Sequence, residues 1–245
     1  MKIPKRIASA IINSLKGGVV PRIGLPYITV GREQEINALL HDVDIIADGG
    51  ASFRFIVGKY GSGKSFLLQT IRSYVMDREF RCRRCRTSPP SDRLQGTKGQ
   101  GLATYKELIR NMSTKTRPDG GALTLILDRW ISNVQSETAA ESGLDTNDLQ
   151  FRKAVERKIY EVIGALHEMV HGFDFARLLT LYYNAYREGD DECKAKVVKW
   201  FRGEYNTKTE ARAELGVNII ITDDDWYEYI KLFAMFLEKK PVTAA

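Results

Sequence analysis

Cysteine is scarce in this sequence, three residues in all. An odd set of three fits a chain kept reduced in the cytoplasm better than a disulfide-stapled secreted one. Histidine is equally scarce, also three. No apolar run reaches the roughly eighteen residues that a membrane span needs, and no internal repeat is evident. The N-terminus carries Lys2, Lys5 and Arg6, but polar residues recur every few positions after them. That pattern reads as a surface helix rather than a signal peptide. What is present is ordinary for a globular protein: 43% apolar and 28% charged residues over 245 positions. This is enough for one large domain or one and a half small ones, with a real core. The net charge of +6 is compatible with DNA or another anionic partner, although many basic residues sit in one short segment.

The chain is organised around Gly58, Lys59, Tyr60, Gly61, Ser62, Gly63, Lys64 and Ser65. A glycine, four free positions and Gly-Lys-Ser form the phosphate-loop pattern. The glycines let the backbone turn successive N–H groups onto phosphate oxygens. A helix leaving the loop adds its positive dipole end. Lys64 is the candidate for the β- and γ-phosphates of ATP, and the Ser65 hydroxyl for Mg²⁺. Phe53, Arg54, Phe55, Ile56 and Val57 read as a short buried strand entering the loop, and Phe66, Leu67, Leu68, Thr70, Ile71, Tyr74 and Val75 as the apolar face of the helix leaving it. The alternative is a glycine-rich turn without a ligand.

Ahead of the loop, Ile7, Ala8, Ile11, Ile12 and Leu15 make a helical stripe stopped by Gly17 and Gly18. Val30, Gly31, Arg32 and Glu33 then open a second helix. This Val-Gly-Arg-Glu box resembles that of AAA+ and STAND-type ATPases, which implies that Gly31 and Arg32 lie beside the adenine. A plain helix start with acids at its positive end is the alternative. Beyond the loop helix a second core strand is expected near Phe80. The sequence there is Arg81, Cys82, Arg83, Arg84, Cys85 and Arg86, and four arginines in six positions cannot be buried unpartnered. Cys82 and Cys85 have zinc-knuckle spacing without a second pair. Residues 136–147 are acidic and rich in small side chains, the best candidate boundary, and helical periodicity dominates beyond them.

The runs VPRIGLPYITVGREQEI, GKYGSGKSFLL, GLATYKELIRNMSTKTRPDGGAL and DRWI together resemble the ATP-binding proteins of BREX phage-exclusion systems. The resemblance implies an ATP-binding subunit of a bacterial antiphage complex, with other subunits as partners and an AAA+-like core. It also implies a chain that continues past residue 245 into an acidic metal-and-water strand, so the expectation is ATP binding with little hydrolysis. A homo-oligomer is compatible with it. The arginine-rich run departs from the family's apolar strand, as a short compensated frameshift across about 81–91 would produce.

Two further motifs compete with this reading. Residues 217–221 followed by Thr222, Asp223 and Asp224 imitate an apolar strand ending in catalytic acids. Thr222 with Asp225 three positions on equally makes a helix start. His167, Glu168 and His171 fit the His-Glu-x-x-His zinc-protease pattern, although the only other histidine is His41. A catalytically silent interaction module is a third possibility. The expected fold is α/β: an N-terminal helix (1–18), a P-loop NTPase core with a parallel sheet (19–135), a linker (136–147) and a mainly helical region (148–245).

Overall fold

In the computed structural model the described residues are 3–21, 23–48, 50–77, 100–114, 116–164 and 171–238. Two compact units are present, one made of Met1–Cys82 with Thr114–Pro118, the other of Arg83–Ser113 with Asp119–Ala245.

The first unit holds helices α1 (Lys5–Lys16), α2 (Glu33–Ala47) and α3 (Lys64–Asp77), with a 3-10 turn at Leu25–Tyr27. Helix α1 follows Pro4, ends at Gly17 and buries Ile11. The chain then crosses close over it, since a Cβ added to Gly24 would lie 2.6 Å from Ile7 Cγ2. Acidic Glu33 and Glu35 occupy the first turn of α2, where the helix dipole favours them. Helix α2 packs on α3, and α3 on the 3-10 turn. Among the described residues of this unit Ile11, Leu25, Ile36 and Leu67 are buried, a small core.

The second unit is a helical bundle. Its helices are α4 (Gln100–Arg110), α5 (Leu123–Ser142), α6 (Leu149–Gly164), α7 (Gly172–Glu188), α8 (Asp191–Phe201), α9 (Lys208–Leu215) and α10 (Trp226–Glu238). From α5 to α9 each helix packs on the next, and α10 lies against α4. Helix starts are set by side chains: Asp190 accepts from the Cys193 N–H, and Thr207 accepts from the Glu210 N–H, each filling an orphan donor of a first turn. The core is aromatic. Phe233 lies 5.1 Å from Phe175, 5.4 Å from Phe201 and 6.4 Å from Tyr105, ring centre to ring centre. Trp130 sits 5.0 Å from Phe236. Two buried polar tips have clear acceptors: Trp200 Nε1 donates to the Ile219 carbonyl at 2.8 Å, and the Tyr105 hydroxyl to the Phe201 carbonyl at 2.6 Å. No helix among the described residues is long and apolar enough to cross a membrane.

This architecture corrects the expected α/β fold. Among the described residues there are helices and no strand, so the parallel sheet and AAA+-like core are not seen. The run entering the loop, expected as a buried strand, is extended but unpaired, with Phe53 79%, Phe55 81% and Val57 90% exposed. The physical reason is that a central parallel strand exists only through ladder hydrogen bonds to neighbours on both sides. No such neighbour stands among the described residues. A short apolar run does not by itself encode one. The arginine-rich segment where the second strand was expected, with Cys82, Cys85 and the suspected frameshift, lies outside the described residues.

Candidate functional site

Residues 51–59 run without regular structure into a turn at Tyr60 and Gly61, and α3 begins at Lys64. Gly61 and Gly63 both have positive φ, 79° and 80°, a conformation that L side chains rarely adopt. Gly58 lies close to Ser62: a Cβ there would stand 2.5 Å from Ser62 Oγ, which would have to turn away. The loop therefore closes on itself because of its glycines. The Lys64 ammonium folds back over it, donating to the Gly58 carbonyl at 2.7 Å and the Lys59 carbonyl at 2.8 Å, with Ser62 Oγ at 3.5 Å. Lys59, Tyr60, Gly61 and Ser65 are exposed. The result is a cationic centre with solvent access, set at the N-terminus of a 14-residue helix. Such an arrangement favours a polyanion.

Arg32 joins this loop. Gly31 has φ 71°, and Arg32 follows as the N-cap residue of α2. The Arg32 guanidinium donates through Nη2 to the Ser62 carbonyl, while Nη1 stands 3.9 Å from Glu35 Oε1. Sequence reasoning placed Arg32 near a base and missed its contact with the loop backbone. It also missed how the entry segment is tied down. Arg54 forms a two-pronged pair with Asp42 of α2, Nη2 to Oδ1 at 3.1 Å and Nε to Oδ2. That guanidinium holds the Asp42 carboxyl below its ordinary range. The available signal was Arg54 itself, a lone charge in an apolar run.

Asp223 and Asp224 belong to the other unit. The Asp223 carboxylate accepts from the Leu102 N–H at 3.0 Å, in the first turn of α4. Asp225 accepts from the Thr222 N–H at 2.6 Å and the Thr222 hydroxyl at 2.9 Å, just before α10. This is the back-bonding half of a capping box. Asp224 is exposed. Two of the three aspartates thus satisfy helix N-termini.

His167 and Glu168 lie outside the described residues. His171 is the N-cap residue of α7, stacked on Tyr229 at 4.7 Å and 19°, with Nε2 3.9 Å from Asp225 Oδ2. Burial pushes the Tyr229 hydroxyl pKa up. No group of three or more His, Cys, Asp or Glu able to hold a metal is found among the described residues. Replacing both His167 and His171 by Ala is expected to leave zinc content unchanged in the purified chain. The stability loss should be about 1 kcal/mol, that of one aromatic stack. Stoichiometric zinc, measured by atomic emission and lost in the double variant, would revive the protease.

No curated protein and no solved structure matches the chain. A family described as BREX system ATP-binding protein BrxC/D matches residues 3–240, nearly the whole sequence, and the chain belongs to that family.

Proposed function

We propose that this chain binds ATP with Mg²⁺ through its 58–65 loop, as one subunit of a phage-exclusion complex, and turns it over slowly by itself. The observation that carries the reading is the Lys64 ammonium held on the Gly58 and Lys59 carbonyls at the start of α3. Those contacts are replaceable: phosphate oxygens are stronger acceptors for an ammonium than neutral carbonyls. The residues fit the ligand. Gly61 and Gly63, both at positive φ, bend the backbone into the helix start, and Ser65 is exposed in the first turn of α3. Lys64 would neutralise the β- and γ-phosphates, and Ser65 would take one position on Mg²⁺. Membership in the BREX ATP-binding family supports ATP as the nucleotide and other system subunits as partners. The basic balance makes DNA the first non-protein partner to test. Calorimetric titration with ATP, with and without Mg²⁺, tests the reading. Saturable binding strengthened by Mg²⁺ is expected, and a folded chain that takes up no ATP under either condition would end it.

Slow turnover follows from what the acids already do. Phosphoryl transfer needs a group to order the metal's water shell and the attacking water. Asp223 is engaged by the Leu102 N–H, and Asp224 sits in the capping turn before α10, its backbone N–H 3.4 Å from Thr222 Oγ1. Steady-state phosphate release by the isolated chain is expected to stay near background, unaltered by Asp223→Asn or Asp224→Asn. Robust release abolished by either variant would instead make these aspartates catalytic.

A further inference from the structure

We propose that Arg32 is a positioning residue for the triphosphate, acting through the Ser62 carbonyl and not through the nucleoside. This rests on the nucleotide reading above. Three observations carry it. The first is that the backbone of Arg32 is fixed by α2, since its carbonyl accepts from the Ile36 N–H at 3.0 Å. The guanidinium therefore projects from a rigid base. Next, both ends of the guanidinium are engaged, Nη2 on the Ser62 carbonyl and Nη1 toward Glu35. A fork committed in this way holds the loop and has little left for a base. Finally, Gly63 leaves room for the contact: a Cβ added there would come within 3.2 Å of Arg32 Nη2, and its φ of 80° already demands glycine.

The consequence follows from peptide geometry. The Ser62–Gly63 peptide is trans, as no cis bond occurs among the described residues, so its C=O and N–H point in opposite directions. Anchoring the Ser62 carbonyl on Arg32 turns the Gly63 N–H away from α2. That N–H immediately precedes Lys64, in the stretch whose amides must converge on one phosphate. Arg32 thus sets the orientation of an oxyanion donor it never touches. The arrangement also gives the Val-Gly-Arg-Glu box a task independent of adenine. Gly31 makes the turn that delivers the arginine, and Glu35, one helical turn on, steadies it.

The test uses the full chain and two ligands, Mg-ATP and Mg-tripolyphosphate, read by competition against a fluorescent ATP analogue. Arg32→Ala is expected to raise Kd for both by a common factor of about ten, the worth of one charge-assisted hydrogen bond. Arg32→Lys can still donate to one carbonyl and should recover affinity to within about threefold of the parent. Matching thermal midpoints for parent and variants would show that the fold is intact. A loss confined to ATP, with tripolyphosphate binding unchanged, would overturn the proposal, because the guanidinium would then be touching the nucleoside. It is equally overturned if Lys64→Ala abolishes binding while Arg32→Ala binds like the parent. A folded parent that binds neither ligand would remove the nucleotide reading and this one with it.

Discussion

Replacing Lys64 by Ala is expected to abolish ATP binding while leaving the fold unchanged. The side chain donates to two carbonyls of its own loop at 2.7 and 2.8 Å and makes a longer contact with Ser62 Oγ at 3.5 Å. Truncation leaves those carbonyls in a largely exposed turn where water replaces the ammonium. The cost to the free protein should therefore stay within about 0.5 kcal/mol. In the complex the same ammonium would face two phosphate groups. Charge-assisted hydrogen bonds contribute about 1.5–3 kcal/mol each, so losing two predicts a hundredfold or greater rise in Kd. Lys64→Arg keeps the charge but not the compact, tetrahedral donor, and should bind about tenfold more weakly than the parent. Titration calorimetry with Mg-ATP reads both variants. Undiminished binding by Lys64→Ala would remove the loop from the site.

The largest expected stability effect lies in the other unit. Phe233→Ala deletes a fully buried ring in contact with Phe175, Phe201, Phe236 and Tyr105. A buried Phe→Ala change costs about 3–5 kcal/mol, since the transfer energy and the residual cavity add. Phe233→Leu keeps most of the volume and should cost roughly 1.5 kcal/mol or less. Phe53→Ala separates the helical architecture from the sheet that the apolar run suggested. On a buried central strand it would match Phe233→Ala. At 79% exposed it should cost within about 1 kcal/mol, most of that from its 4.8 Å edge contact with Phe55. Urea midpoints for the three variants decide the matter. A Phe53 loss as large as that of Phe233 would restore a packed strand.

Much of the second unit was legible because helical periodicity reports burial directly. In the stretch beyond residue 147, where the sequence is helical in its periodicity, Phe151, Val155 and Ile159 recur on one face of α6 and all are buried. The start of α10 was legible too, since Thr222 and Asp225 have the spacing at which a carboxylate reaches back to an N–H. The sheet was misread for an equally physical reason. Phe53, Phe55, Ile56 and Val57 have strand composition, but a strand is a relation between segments, and composition names no partner.

The amino-acid order alone determined which residues can bend around an anion. Glycines at 58, 61 and 63, with Lys64 and Ser65 behind them, prescribe the turn and its charge through local sterics, and those act over a few positions. It also determined the helix starts, again local hydrogen bonding. Only the tertiary structure decided that Arg32, thirty positions before Ser62, closes on that residue's carbonyl. It alone decided that Arg54 is clamped to Asp42, and that Asp223 is drawn to α4 rather than left free at a strand end. Each of these is a pairing between segments distant in sequence. Which pairing forms depends on how the helices pack their apolar faces, and that is a property of the folded chain.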